Sequence, residues 1–127
     1  MQLEDRIAII TGAGQGIGYG IAETLVHEGA QVMIGELIPE RGLEAAARLR
    51  ADGWQAESMA LDVTDTAACK SLVDHVRKAY GRIDILVNNA GLIILRNSEA
   101  MPEEDWRIQI DVMLNGVFFM RLRSWPV

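Results

Sequence analysis

The stretch Thr11-Gly12-Ala13-Gly14-Gln15-Gly16-Ile17-Gly18 lies between two segments of different period. Before it, from Arg6 to Ile10, a short β-branched run reads as a buried strand that stops at Thr11-Gly12. After it, Ile17, Ile21 and Leu25 recur at four-residue spacing with Ala22 and Val26 beside them, and Gly29 follows as a stop. That is an amphipathic helix beginning at Gly16. A strand that enters a helix through glycine can turn its backbone N–H groups and the helix dipole toward a diphosphate. Residues without Cβ let the loop bend sharply and let phosphate oxygens come close. The spacing is G-x-x-x-G-x-G, from Gly12, Gly16 and Gly18. It is not G-x-G-x-x-G, which would need glycine at Ile17 or Tyr19, and no Gly-Lys-Ser/Thr follows to make a P-loop. Alone, such a stretch is equally a tight structural turn; the strand before it, the helix after it and an acid at the end of the next strand favour the nucleotide reading.

That acid is Glu36. Gln31 to Glu36 carries Val32, Met33 and Ile34 as a second strand, which ends eighteen residues after Gly18. An acid there accepts hydrogen bonds from the adenosine ribose hydroxyls. A 2′-phosphate would face a like charge, at a cost of up to about 4 kcal/mol at close range and an effective dielectric near 20. Ala13 and Leu37 occupy the flanking turn positions, so no arginine is expected to offset that charge, and NAD is preferred over NADP. The plain alternative is a solvated glutamate at a strand end.

Farther along, Pro39 opens an Ala-rich helix through about Arg50, ended by Asp52-Gly53, and Trp54 to Leu61 reads as a third strand. Asp62-Val63-Thr64-Asp65 supplies cap chemistry for a helix whose inward residues are expected to be Ala68, Leu72, Val76 and Ala79, closed by Gly81. Ile83 to Val87 is a fourth strand, ending at Asn88-Asn89-Ala90-Gly91. A last helix starts near Pro102 with Glu103, Glu104 and Asp105 in its first turn, where the dipole favours acids over any role as paired catalytic carboxylates. Its apolar stripe is Trp106, Ile110, Met113, Val117 and Met120, and the tail 121–127 breaks the pattern. Strand and helix alternate, which argues for an α/β fold with a parallel sheet covered on both faces.

The 127 residues favour one domain, expected over 1–120 with an unpatterned tail at 121–127. Half the residues are apolar and 24% are charged, a globular balance, and the net charge of −6 argues against nucleic-acid or anionic-lipid partners. The longest uncharged run, Ile7 to Ala22, holds five glycines and does not read as a membrane span; the N-terminus lacks a secretion pattern, so a cytoplasmic location is expected. Cys69 is alone, and His27 and His75 lie on separate helices, so neither a disulfide nor a metal site is expected.

Together these residues resemble the short-chain dehydrogenase/reductase family from about Arg6 to Met120. Thr11 to Gly18 is similar to its TGxxxGxG loop, Asp62-Val63 to its adenine-contacting pair and Asn88-Asn89-Ala90-Gly91 to its NNAG segment. Ile83 to Val87 and Asn115-Gly116-Val117-Phe118 are also typical of it. The resemblance implies a Rossmann-like doubly wound sheet in the order 3-2-1-4, truncated before its second half, with a dinucleotide as partner. It implies that Gly12, Ala13, Gly14, Gln15, Gly16, Ile17 and Gly18 line the diphosphate, Glu36 the ribose, Asp62 and Val63 the adenine, and Asn89, with Ala90 and Gly91, the inner ribose. Asn88 is expected to tie neighbouring strands together.

Intact members pass hydride between a nicotinamide and an alcohol or carbonyl, using a Ser and a Tyr-x-x-x-Lys pair; the ammonium lowers the Tyr pKa so that it exchanges a proton near neutrality. Here Glu23 and Asp84 lie four residues beyond Tyr19 and Tyr80, Ser124 has no following Tyr, and Met113 stands where the family's helical Asn is expected. No catalytic residue is assigned, and the chain alone is expected to be inactive. It reads as the NAD-binding portion of an oxidoreductase whose alcohol or carbonyl substrate requires completion of the fold. The alternative is a non-catalytic nucleotide-binding or interaction protein completed by another chain. A fourth strand left as a bare edge predicts marginal stability, self-association, or pairing with another chain.

Overall fold

The computed structural model describes residues 1–124. Its elements are β1 (Ile7–Thr11), α1 (Gly16–His27), β2 (Gln31–Glu36), α2 (Pro39–Ala51), β3 (Ala56–Ala60), α3 (Thr66–Tyr80) and β4 (Ile85–Val87). A short 3-10 turn (Ser98–Ala100) then leads to α4 (Glu103–Ile110), one π-helical turn (Asp111–Asn115) and α5 (Gly116–Ser124). The four strands form one parallel sheet in the order β3-β2-β1-β4. The expected α/β class and strand order are therefore present.

Alternation along β1 divides the core between two faces. Ala8 and Ile10 join Val32, Ile34, Ala22, Val26, Ala45, Ala46 and Leu49 under α1 and α2. Ile7 and Ile9 join Met33, Leu61, Leu72, Val76 and Met120 under α3 and α5. β1 is buried along its whole length, as a central parallel strand covered on both faces must be. Local chemistry sets the ends: Pro39 stands first in α2, Asp65 caps α3 by accepting from Ala67 N and Ala68 N, and Gly81 ends α3 in the left-handed region at φ 79°.

Helix faces depart from the sequence pattern. The expected stripe of α1 is Ile17, Ile21 and Leu25 with Ala22 and Val26 beside them; Ala22 and Val26 are buried, together with Gly18, but Ile17 is 79% exposed. Small side chains on that face let α1 lie close to the sheet, and Ile21 and Leu25 cover the margin of the core. In α3, Ala79 is exposed, while Cys69, Leu72, Val73 and Val76 are buried. Of the stripe expected after Pro102, only Met120 is buried; Trp106, Met113 and Val117 face outward. The helix instead turns Gly116 toward Val63, whose Cγ2 would lie 2.6 Å from a Cβ at that glycine. Apolar residues surround this helix, so a 3.6 period does not single out the face that the sheet accepts. Helix continues through Arg121-Leu122-Arg123-Ser124, where an unpatterned tail was expected; Trp125, Pro126 and Val127 of that tail lie outside the described residues.

Candidate functional site

Parallel strands deliver their following loops to one edge of the sheet, and the order reverses between β1 and β4, the place where such sheets form a crevice. A cavity of ≈ 470 Å³ lies there, lined from every loop at that edge. Gly12, Gln15 and Gly16 come from the turn after β1, Glu36, Leu37, Ile38 and Arg41 from β2 and the start of α2, and Leu61, Asp62 and Val63 from the turn after β3. Asn89, Ala90, Gly91 and Leu92 follow β4, and Ile108 and Val112 close the far side.

The glycines of the turn have different jobs. Gly12 sits at φ 69°, and a Cβ there would lie 2.9 Å from Ala90 Cα. A Cβ at Gly18 would meet Asn89 Nδ2 at 2.4 Å and Gly12 O at 2.7 Å, so this glycine lets α1 approach the end of β4. Gly14 is needed for the acid: a Cβ there would stand 2.6 Å from Glu36 Oε1. Gly16, at φ 61°, faces open space and lines the cavity at the first turn of α1. The first N–H groups of a helix have no partner within it, so this end offers donors and a positive dipole to an anion. Ala13 is buried in the core and the Ile17 side chain is exposed, so neither side chain lines the cavity; nor do Gly14 and Gly18.

Glu36 is buried at the end of β2, and its two oxygens accept from Gly14 N (3.2 Å) and Ile38 N (2.8 Å). The carboxylate is therefore held directly over the glycine turn. Asp62 forms an Asx turn, accepting from Thr64 N at 2.9 Å and Thr64 Oγ1 at 2.7 Å, which steadies the loop that carries Val63. Asn89, not Asn88, makes the tie between strands: its N–H donates to Thr11 Oγ1 (3.1 Å) and its Nδ2 to Gly12 O (3.1 Å). Thr11 Oγ1 also accepts from Ala90 N at 2.9 Å, so one buried hydroxyl anchors the loop after β4. Asn88 is exposed. Side-chain alternation explains the difference, since neighbouring residues at a strand end point to opposite faces.

Sequence reasoning missed Thr11 as an anchor and Arg41 as a lining residue. The signal for Arg41 was available: a helix opened by Pro39 puts position 41 in its first turn, beside the acid that ends β2. The expectation that no arginine lies near Glu36 considered only the flanking turn positions, and the fold places Arg41 at the same cavity.

The lining contains no Tyr, Lys or Ser among the described residues. Tyr80 donates its hydroxyl to Glu57, and burial together with that carboxylate pushes its pKa up to about 12, away from the range a proton-exchanging phenol requires. Lys70 pairs with Asp74 at 2.5 Å. Cys69 is buried, and burial with Asp65 and Asp62 nearby raises its thiol to about 11. Among the described residues no cluster of His, Cys, Asp and Glu could hold a metal, and no helix is long and apolar enough to cross a membrane. The cavity presents donors at a helix end, an anchored acceptor, and apolar walls between them.

Comparison with known proteins agrees with this geometry. A family model described as short chain dehydrogenase matches residues 6–125. The chain is 41% identical over 118 residues to the Escherichia coli 3-oxoacyl-(acyl-carrier-protein) reductase, covering 93% of this chain and 47% of that protein. It is 38% identical over 120 residues to galactitol 2-dehydrogenase of Agrobacterium fabrum, covering 94% and 46%. The solved structure of a short-chain dehydrogenase/reductase from Serratia marcescens superposes with a TM-score of 0.92 at 28% identity, covering 98% of this chain and 51% of that one. The chain thus spans about half the length of the curated relatives it matches.

Proposed function

Because the chain belongs to the short-chain dehydrogenase family, whose members bind NAD(P) cofactors, we propose that its cavity takes NAD and forms the cofactor-binding part of an oxidoreductase acting on an alcohol or carbonyl. The observation that carries the preference for NAD is the anchored Glu36 carboxylate, hydrogen-bonded to Gly14 N over the turn. Each carboxylate oxygen has a second lone pair, so Glu36 keeps acceptors for two ribose hydroxyls after serving Gly14 and Ile38. The residues fit the group: Gly16 at the open N-terminus of α1 for the diphosphate, Leu37, Ile38, Leu61 and Val63 as apolar walls with Asp62 for the adenine, and Asn89 to Gly91 toward the inner ribose. Bound NAD would supply the hydride-accepting ring; this chain's residues would bind and orient it.

Proton exchange with a substrate oxygen is not assigned to any residue of this chain. The reading for the whole protein is that a Tyr-x-x-x-Lys pair, which does not occur in these 127 residues, and a Ser that precedes it complete the site. The lack of Tyr, Lys and Ser in the cavity lining also suits a second reading, a nucleotide-binding or interaction protein completed by another chain. Calorimetric titration with NAD and NADP tests the first claim: NAD is expected to bind, and NADP at least about tenfold more weakly, the equivalent of a fraction of one unscreened like-charge contact. Failure of both dinucleotides to bind would refute it. Alcohol-dependent NADH formation by these 127 residues alone would overturn the statement that proton exchange needs residues from elsewhere.

A further inference from the structure

We propose that Gln109 is a positioning residue of the cavity: its side-chain amide clasps the segment that follows β4 onto the helix after Pro102 and thereby sets the wall that NAD meets there. The inference rests on the nucleotide reading of the cavity and deepens it. Residues 91–97 form no regular structure. Their upstream end is held where Ala90 N donates to Thr11 Oγ1 at 2.9 Å, and their downstream end enters the 3-10 turn Ser98–Ala100. Between Gly91 and Arg96, the one hydrogen bond among the described residues that reaches another element runs from Ile94 N to Gln109 Oε1, at 3.1 Å. Apolar packing adds little, since Ile93 is 75% and Leu95 83% exposed.

The other end of the amide is used as well. Nε2 donates to Asp105 O at 2.9 Å, one turn back along α4, and to Met101 Sδ at 3.7 Å, just beyond the 3-10 turn. One half-buried side chain therefore grips the connection on both sides of that turn. The grip needs an acceptor facing the Ile94 N–H and a donor facing a carbonyl, a combination that an amide offers and that an ionised carboxylate, an ammonium or an aliphatic chain does not. It falls at the cavity: Leu92, two residues before Ile94, and Ile108, next to Gln109, both line it, and Val112 follows in the π-helical turn. Gln109 itself does not line it, so it acts on a ligand through these neighbours. Without the clasp the Ile94 N–H loses its partner, and Leu92 is free to move away from Ile108.

The test compares the unmodified chain with Gln109→Leu, which removes both ends of the grip, and Gln109→Glu, which keeps an acceptor for the Ile94 N–H at similar volume. Calorimetric titration with NAD reads affinity, hydrogen exchange at the Ile94 amide reads the clasp, and circular dichroism checks folding. Gln109→Leu is expected to weaken NAD about fivefold, the scale of one net hydrogen bond, and to release the Ile94 amide to fast exchange. Gln109→Glu is expected to stay within about twofold of the unmodified chain in affinity and to keep that amide protected. In the unmodified chain, saturating NAD is expected to slow exchange at Ile94 further, a measurement that stands even if Gln109→Leu does not fold. Equal weakening by the two variants, an unchanged affinity in Gln109→Leu, or an Ile94 amide indifferent to NAD would overturn the clasp while leaving NAD binding in place. Failure of the unmodified chain to bind NAD would sink the nucleotide reading itself, and this inference with it.

Discussion

Gly14 and Gly20 lie six positions apart and answer to opposite constraints. Gly14 faces Glu36 and Arg41 at sub-contact distance, whereas Gly20 lies within α1 with open space where its Cβ would be. Gly14→Ala is expected to displace the Glu36 carboxylate and weaken NAD binding by about tenfold, of the order of one lost charge-assisted hydrogen bond. Gly20→Ala is expected to stabilise the chain by about 0.5–1 kcal/mol, since a helix-interior glycine loses more backbone entropy than alanine on folding. Thermal melts and NAD titration of both variants check this, and equal effects of the two would contradict the assigned role of Gly14. The glycines were legible in sequence as a turn; which of them serves packing, which the acid and which lines the cavity was not, because those neighbours come from β2 and β4.

Among the segments, the ends of β1 and β4 are joined through a single hydroxyl. Thr11 Oγ1 accepts from Asn89 N and Ala90 N and is buried, so Thr11→Val would leave two donors without their partner. A loss of about 2 kcal/mol is expected, with weaker NAD binding because Asn89 and Ala90 form part of the cavity wall; denaturant midpoints and calorimetry read the two effects. The opposite end of β4 is held by Asp84, which accepts from Ile7 N at 2.9 Å. The hydrogen bond from Arg82 is the largest cause that keeps its carboxyl below the usual aspartate range, with Ile7 N–H and the charges of Arg82 and Arg6 acting the same way against burial. A carboxylate whose folded pKa is depressed stabilises the fold above its ordinary pKa, and that contribution is lost as pH falls below about 4. Asp84→Asn is therefore expected to lower stability at neutral pH and to flatten the acid limb of the stability profile; an unchanged acid limb would contradict this.

For the chain as a body, the two sheet edges differ. β3 carries Glu57 on one edge, while β4 exposes backbone groups flanked by Ile85, Leu86 and Val87 and has no neighbour on its outer side among the described residues. A bare edge of that kind is a template for another strand. The 127 residues alone are expected to associate with a second copy or to melt at low temperature, and sedimentation across a range of concentrations together with a thermal melt checks this. A well-folded monomer at every concentration would count against it.

The order of strands and helices, their approximate limits, the glycine turn and the acid that follows it were decided within short stretches of chain, because caps, periods and turns depend on neighbours a few residues away. Three-dimensional packing alone decided the burial of Gly18 rather than Ile17 on α1, the buried face of the helix after Pro102 and the choice of Asn89 over Asn88 as the tie. Each of those depends on a partner from a distant segment, and the free energy that selects it exists only once the sheet has brought the two together.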